Sequence, residues 1–277
     1  MTAPLSTNRT QGPALDQERP KPVSLSVASF VMAGRVVRHY LHSRMMLIVT
    51  IAFPLLQLFM LLAAFGVLVR ETEGLNYVQR LAPLIVLTTA FSSILPTAIA
   101  IWSDIRSGVF DRLRTMPLDI RAYALGRVGG DFVRIMAVAV LVSAVAYTVG
   151  FRFTRGVLAT VAFFGVVALF AMMCSVLAVV VALCAPHPGI IVRYVQMPTL
   201  VLTLMSTGYV PLEAFPQWIQ PVVAITPVSL AADSLAALAG RGPVLGPVLG
   251  TLAWTAAITA VSTMIARRRF VGAARRG

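Results

Sequence analysis

The chain has 277 residues, of which 58% are hydrophobic and 12% charged, and its mean hydropathy of +0.86 excludes an ordinary soluble domain. The apolar runs are continuous and roughly 20 residues long, so they predict membrane-spanning helices rather than the alternating strands of a membrane barrel. A net charge of +13 would suit nucleic acid, but in a membrane protein a basic excess more often reflects topology.

The N-terminal segment precedes any apolar run. Residues 1–23 are polar and rich in proline, and they are predicted to form a disordered cytosolic tail. Residues 24–43 form an amphipathic pattern, with Phe30 on the apolar face and Arg35 and Arg38 on the opposite one. This pattern predicts either a helix lying in the membrane interface or an ordinary extension of the first span.

Six apolar runs follow and predict an all-α, multi-pass membrane protein. The predicted spans cover about residues 45–69, 81–102, 132–151, 157–185, 190–209 and 244–266, and residues 267–277 form a basic tail. With both termini in the cytosol, the inner segments carry 18 of the 23 Lys and Arg residues, and the outer loops carry 5. The positive-inside rule therefore predicts cytosolic termini.

A polar stretch, residues 103–134, separates the second and third predicted spans. Within it Ser107 can cap a short helix from Gly108 to Met116 that Pro117 would stop. Its apolar face comprises Val109, Phe110, Leu113 and Met116, and its polar face comprises Asp111, Arg112, Arg114 and Thr115. A helix this short is marginal alone, which leaves two interpretations: a solvated loop or a docking element for a cytosolic partner.

Residues 211–240 are too apolar for a free loop, and prolines divide them into pieces too short to cross a bilayer. They predict re-entrant half-helices at about 216–224 and 227–238 on the extracellular side. Both acids of the segment are expected to face water at the rim. The candidate functional residues here are Pro211, Glu213, Pro216, Trp218, Pro227 and Asp233.

No pattern for enzymatic chemistry occurs in the chain. GxxxxGK[ST], GxSxG, HExxH and CxxC are absent from the sequence, so no catalytic, cofactor-binding or metal-binding residue is predicted. Four aspartates alternate with arginines in residues 103–134, and ion pairing explains them better than catalysis. They are Asp104, Asp111, Asp119 and Asp131. A transporter without intramembrane carboxylates would need an external motor.

The order of these elements resembles the permeases of the ABC-2 exporter family. The loop DIRSGVFDRLRTMP is similar to that family's acidic-x-x-x-Gly-x-x-x-Arg-Leu-x-x-x-Pro pattern. The stretch TGYVPLEAFPQWIQPVVAITPVSLAADSLAALAGRGPVLGP and the turn FRFTRG resemble the daunorubicin/doxorubicin-resistance subfamily, which includes mycobacterial exporters of complex lipids such as phthiocerol dimycocerosate. The resemblance covers residues 24–266, with Ala236 where relatives usually carry Arg.

The resemblance implies a permease subunit in a bacterial plasma (inner) membrane. Two copies of a separate ATPase would hold ATP and Mg²⁺, and a second permease, identical or related, would complete the pathway. The helices at 24–43 and 108–116 would contact the ATPase. The substrate would be an antibiotic-like drug or a complex lipid. A membrane scaffold that transports nothing and a passive lipid scramblase remain the alternatives.

Overall fold

The computed structural model describes residues 24–70, 75–108, 120–209, 212–240 and 242–274. Every regular element within these ranges is helical, which confirms the all-α prediction. The predicted N-terminal tail, most of the predicted helix at 108–116, and Pro211 lie outside the described residues.

Ten α-helices and one 3₁₀ turn make up the described chain. The α-helices are α1 (Leu25–His42), α2 (Arg44–Arg70), α3 (Leu75–Ser92), α4 (Ile94–Arg106), α5 (Ile120–Thr148), α6 (Val157–Cys184), α7 (Pro188–Leu204), α8 (Gln220–Ile225), α9 (Pro227–Ala239) and α10 (Leu245–Ala274). The 3₁₀ turn covers Leu212–Ala214.

Four helical stretches in the described chain are long and apolar enough to cross a membrane: Gln79–Arg106, Ala122–Thr148, Val157–Cys184 and Leu245–Arg269. A fifth is possible if α1 and α2, which are bent by 73° between them, are taken as one broken span. Helices α7 and α9 are apolar but shorter. The structure thus agrees with a multi-pass membrane protein.

Two of the differences from the sequence prediction concern the polar stretch and the second span. The third predicted span begins at Phe132, whereas α5 begins at Ile120 and takes in part of the polar stretch. The second predicted span is interrupted at Ser93, between α3 and α4. Pro96 has no N–H to offer the carbonyl of Ser92, which explains the interruption.

Helix α6 lies at the centre of the bundle, where it contacts α3, α4, α5, α9 and α10. Its side chains Phe163 and Phe170 are fully buried. The predicted tight turn at residues 151–156 adds Phe151, and the Phe153 ring meets the Phe151 and Phe163 rings edge-on at 4.9 and 5.3 Å. Aromatic packing therefore anchors this turn to the core.

Candidate functional site: a charged helix junction and an outer cap

A buried carboxylate joins α1 to α5. Asp131 is 0% exposed, and its Oδ2 lies 3.7 Å from Nε of Arg127, while its Oδ1 lies 3.7 Å from Nη2 of Arg134. The hydroxyl of Tyr40 on α1 donates to Asp131 Oδ1 at 3.4 Å. We call these four residues the charged junction. The ion pairing predicted for Asp131 is confirmed.

Aromatic and electrostatic contacts tie Tyr40 further to this group. The guanidinium carbon of Arg134 lies 5.0 Å from the centre of the Tyr40 ring, a cation–π geometry. Burial raises the pKa of the Tyr40 hydroxyl, and the nearby Asp131 carboxylate acts in the same direction. Tyr40 therefore stays a neutral hydrogen-bond donor to Asp131 at physiological pH.

Glycines let α1 approach α5 closely. A Cβ placed on Gly126 would lie 2.3 Å from Cβ of Met32 and 2.9 Å from the carbonyl oxygen of Ser29. One on Gly130 would lie 2.6 Å from Cβ of Val36. Gly126 and Gly130 stand four residues apart, the small-xxx-small spacing that permits close helix contact.

The face of α1 that packs on α5 is distinct from the apolar face that carries Phe30. Phe30 is 82% exposed, and the α1 side chains nearest to α5 are smaller ones. Arg35 and Arg38 are also exposed. Because α1 is fastened by its small-residue face, its large apolar side chains and its arginines are both free for lipid or a partner.

A cavity of about 590 Å³ lies beside the charged junction. Helices α1, α2, α4 and α5 contribute its walls, together with the C-terminal end of α3. Polar and charged side chains on its surface include Arg35, His39, Tyr40, Asp104, Arg127 and Arg134, and apolar ones include Met32, Val49, Phe53 and Ala100. The cavity is therefore amphiphilic.

The end of α4 is fixed on the same side of the bundle. The Tyr123 hydroxyl donates to Asp104 Oδ2. The Trp102 indole donates to the Ala185 carbonyl at 3.2 Å, and Arg106 donates to the Pro186 carbonyl at 3.0 Å. These bonds position the point from which the polar loop leaves the bundle.

The loop itself begins with Ser107 and Gly108. Ser107 closes α4, with its hydroxyl donating to the Asp104 carbonyl, and Gly108 takes a φ of 74°, which ends the helix. The remaining predicted coupling residues lie outside the described residues: Val109, Phe110, Arg112, Leu113, Arg114, Met116 and Pro117. Their helix and its docking face stay predictions.

At the opposite end of α5, residues 205–209 and 212–240 pack into a cap. Ser206, Thr207 and Gly208 are buried in the turn that follows α7. The Thr207 N–H donates to Ser229 Oγ at 3.2 Å, and the Thr207 hydroxyl donates to Asp233 Oδ1 at 3.0 Å. Side chains thus satisfy polar groups of this buried, irregular backbone.

Helix α9 within this cap has a well-formed N-terminus. Thr226 is its N-cap and accepts from the Ser229 N–H at 3.3 Å, and Pro227 occupies the first helical position. We call Thr207, Thr226, Ser229 and Asp233 the hydroxyl network. The C-terminal end of α9 is joined to the turn at residues 151–156, because the Thr154 N–H donates to the Ala239 carbonyl at 3.0 Å.

The two acidic residues of the cap differ in their exposure to solvent. Glu213 is exposed, as expected, and so are Pro216 and Trp218. Asp233 is instead partly buried. Burial raises its pKa, while the Thr207 hydrogen bond and the charge of Arg80 lower it. The expectation that Asp233 faces water is therefore wrong, because Thr207, 26 residues away in the sequence, packs against it.

Sequence reasoning missed the charged junction as a unit. Arg127 and Asp131 are four residues apart, and Asp131 and Arg134 three, which is the spacing of neighbours on a helix. That signal was present in the sequence, but the partner Tyr40 lies 91 residues away from Asp131. Among the described residues, no cluster of three or more His, Cys, Asp or Glu side chains could hold a metal ion.

The fold and these sites define a multi-pass helical membrane protein whose N-terminal helix packs on the start of α5 and whose cap precedes the last long helix. The family description "ABC-2 type transporter" matches residues 28–239, and the chain belongs to that family.

Curated relatives agree with this assignment. A "probable doxorubicin resistance ABC transporter permease protein DrrC" of Mycobacterium tuberculosis is 27% identical over 217 residues, which cover 78% of each chain. A "daunorubicin resistance ABC transporter permease protein DrrB1" of Streptomyces coeruleorubidus is 28% identical over 215 residues, covering 78% of this chain and 76% of the relative.

Proposed function

We propose that this chain is the permease subunit of an exporter that moves hydrophobic or amphiphilic molecules, either antibiotic-like drugs or complex lipids, out across the bacterial plasma membrane. A separate ATPase, present in two copies and holding ATP and Mg²⁺, drives the movement. The family match over residues 28–239 carries the proposal, and the names of the relatives support a drug-like cargo.

Six spans with both termini in the cytosol are part of this proposal. Helix α2 has 27 residues, about 40 Å at 1.5 Å per residue, and is long enough to cross. Helix α7 has 17 residues, about 25 Å, and falls slightly short of a hydrocarbon core of about 30 Å. The buried turn that follows α7 supplies the remaining length. The cap at 205–240 then lies on the outer side as a re-entrant segment.

A second permease is supported by a contrast between α7 and α10. The exposed residues of α7 include Arg193, Tyr194 and Gln196, and Gln196 stands at the midpoint of the helix. The exposed face of α10 between 245 and 266 carries no charged or amide side chain. Lipid solvates a surface such as that of α10, whereas exposed amide and charged groups favour a protein or aqueous neighbour.

Coupling to the ATPase is assigned to the charged end of the bundle. The loop that starts at Ser107 leaves the bundle there, and α1 lies there with Phe30 exposed. The sequence places Phe110, Leu113 and their neighbours on an apolar face, and each such side chain is worth roughly 1.5–3 kcal/mol when buried. Helix α1, fastened to α5, gives the ATPase a second, firmly attached surface.

The direct test is reconstitution. The chain and a candidate partner ATPase are placed in proteoliposomes with fluorescent doxorubicin or a labelled lipid. ATP-dependent movement should require both subunits and should vanish when the P-loop lysine of the ATPase is replaced. Movement by this chain alone without ATP would instead identify a scramblase. A purified chain that neither binds the ATPase nor moves any cargo would fit a scaffold.

A further inference from the structure

The cavity beside the charged junction has two chemically distinct walls. Helices α1 and α5 supply three guanidinium groups, those of Arg35, Arg127 and Arg134. Helix α2 supplies apolar side chains, including Val49 and Phe53, which are both more than half exposed. Together the walls place positive charge beside an apolar surface, and that surface continues along the outside of α2.

The charge balance of this cavity is positive. Three guanidinium groups face two carboxylates: Asp104 on the wall, and Asp131 directly behind Arg127 and Arg134. Asp104 already accepts a hydrogen bond from Tyr123. Among these arginines and aspartates one positive charge is left over, so the cavity favours an anion.

Buried donors in the cavity wall have no hydrogen-bond partner within the part of the chain that the structure describes. Arg127 is 8% exposed, and its Nε lies 3.7 Å from Asp131 Oδ2, beyond hydrogen-bonding distance. The Nε and Nη2 atoms of Arg134 are also buried without a hydrogen bond in these ranges. Because these nitrogens are buried, an anion in the cavity is attracted by the positive charge of the guanidinium groups, and phosphate is an anion that guanidinium groups bind well.

We propose that this cavity binds the phosphate headgroup of an anionic phospholipid from the adjoining membrane leaflet, with the acyl chains lying along α2. The apolar wall favours a lipid over a free anion, since Val49 and Phe53 offer nothing to inorganic phosphate. The inference rests on the membrane location in the proposed function but not on transport. The bound lipid fastens α1 to α2 and α5 from the membrane side.

The test measures lipid binding to the purified chain by native mass spectrometry after exchange into nanodiscs containing equal amounts of phosphatidylglycerol and phosphatidylcholine. The wild type should retain phosphatidylglycerol preferentially. Arg35→Gln removes a cavity charge that is not paired with Asp131, and it should lower that occupancy about fivefold. Arg38→Gln is the matched control, because Arg38 is exposed on the same helix and does not line the cavity.

A variant that should bind more lipid tests whether misfolding explains a loss of lipid binding in Arg35→Gln. Asp104→Asn removes the opposing negative charge but keeps an acceptor for Tyr123, so phosphatidylglycerol occupancy should rise. Any of three results would overturn the proposal. The wild type could retain the two lipids equally, Arg35→Gln and Arg38→Gln could lose equal amounts of lipid, or Asp104→Asn could show lower occupancy. Efficient displacement of the lipid by excess inorganic phosphate would overturn the assignment to a lipid. A failure of ATP-driven export would refute the proposed function and leave this binding result standing.

Discussion

The two ends of the helix bundle are held together by different chemistry. At one end, the charged junction places a fully buried carboxylate between two arginines and a tyrosine hydroxyl. At the other end, the hydroxyl network links the turn after α7 to α9 mainly through threonine and serine, with Asp233 only partly buried. Charge therefore fastens α1, and neutral hydrogen bonds fasten the cap.

The difference predicts unequal sensitivity to mutation. Removing one partner of a buried ion pair leaves an uncompensated charge and typically costs about 3–5 kcal/mol. A single neutral hydrogen bond contributes about 0.5–1.5 kcal/mol. The charged end should consequently be rigid and intolerant of substitution, while the cap can lose one bond and stay closed.

The largest expected effect comes from Asp131→Asn. The substitution leaves Arg127 and Arg134 buried without a counter-charge, and we expect a loss of about 3–5 kcal/mol in stability. The measurement is the thermal unfolding midpoint of the detergent-purified chain, followed by size-exclusion chromatography.

Asp233→Asn is the matched control at the other end. Burial already favours the neutral form of Asp233, and an asparagine can still accept from Thr207. Its cost should be about 0–1 kcal/mol. Equal shifts in the two midpoints, or a larger shift for Asp233→Asn, would contradict the contrast between the ends.

A smaller effect is expected from Gly126→Ala. The added Cβ would meet Met32 and the backbone oxygen of Ser29, so α1 must move away from α5 at a cost of about 1–3 kcal/mol. Gly129→Ala is the control, because the added Cβ would make an ordinary contact at 3.5 Å with Ala33. Alanine also has a higher helix propensity than glycine. The same unfolding assay compares them, and a Gly129→Ala variant that is the less stable of the two would refute the close-packing account.

Some of this architecture could be predicted from the sequence. Helix α6 runs from Val157 to Cys184, almost as predicted, because an uninterrupted apolar run has one plausible structure in a membrane. The half-helix predicted at 227–238 corresponds to α9, which begins at Pro227, whereas only part of the one predicted at 216–224 is helical, as α8. The re-entrant placement of both helices stays a prediction. In these segments, residues within the segment itself determined the part of the structure that was predicted.

The start of α5 shows why other parts of the fold could not be predicted from the sequence. Hydropathy alone treats Arg127, Asp131 and Arg134 as loop residues, and the predicted span therefore began after most of them. In the fold, Asp131 pairs with both arginines, and Tyr40 of α1, a segment distant in the sequence, also contacts it. Likewise, the amphipathic pattern of α1 did not show which of its residues pack on α5, because that contact depends on the distant glycines of α5.

The central claim is that a separate ATPase works at the charged end and not at the cap. Single cysteines at Ser107 and at Glu213, each exposed and each in a Cys184→Ser background, would carry a photoactivatable crosslinker in membranes that also contain the ATPase. Cys174 is buried and should not react. The account predicts that the ATPase is crosslinked from position 107 and not from position 213. Crosslinking from position 213, or equal yields from both positions, would contradict it.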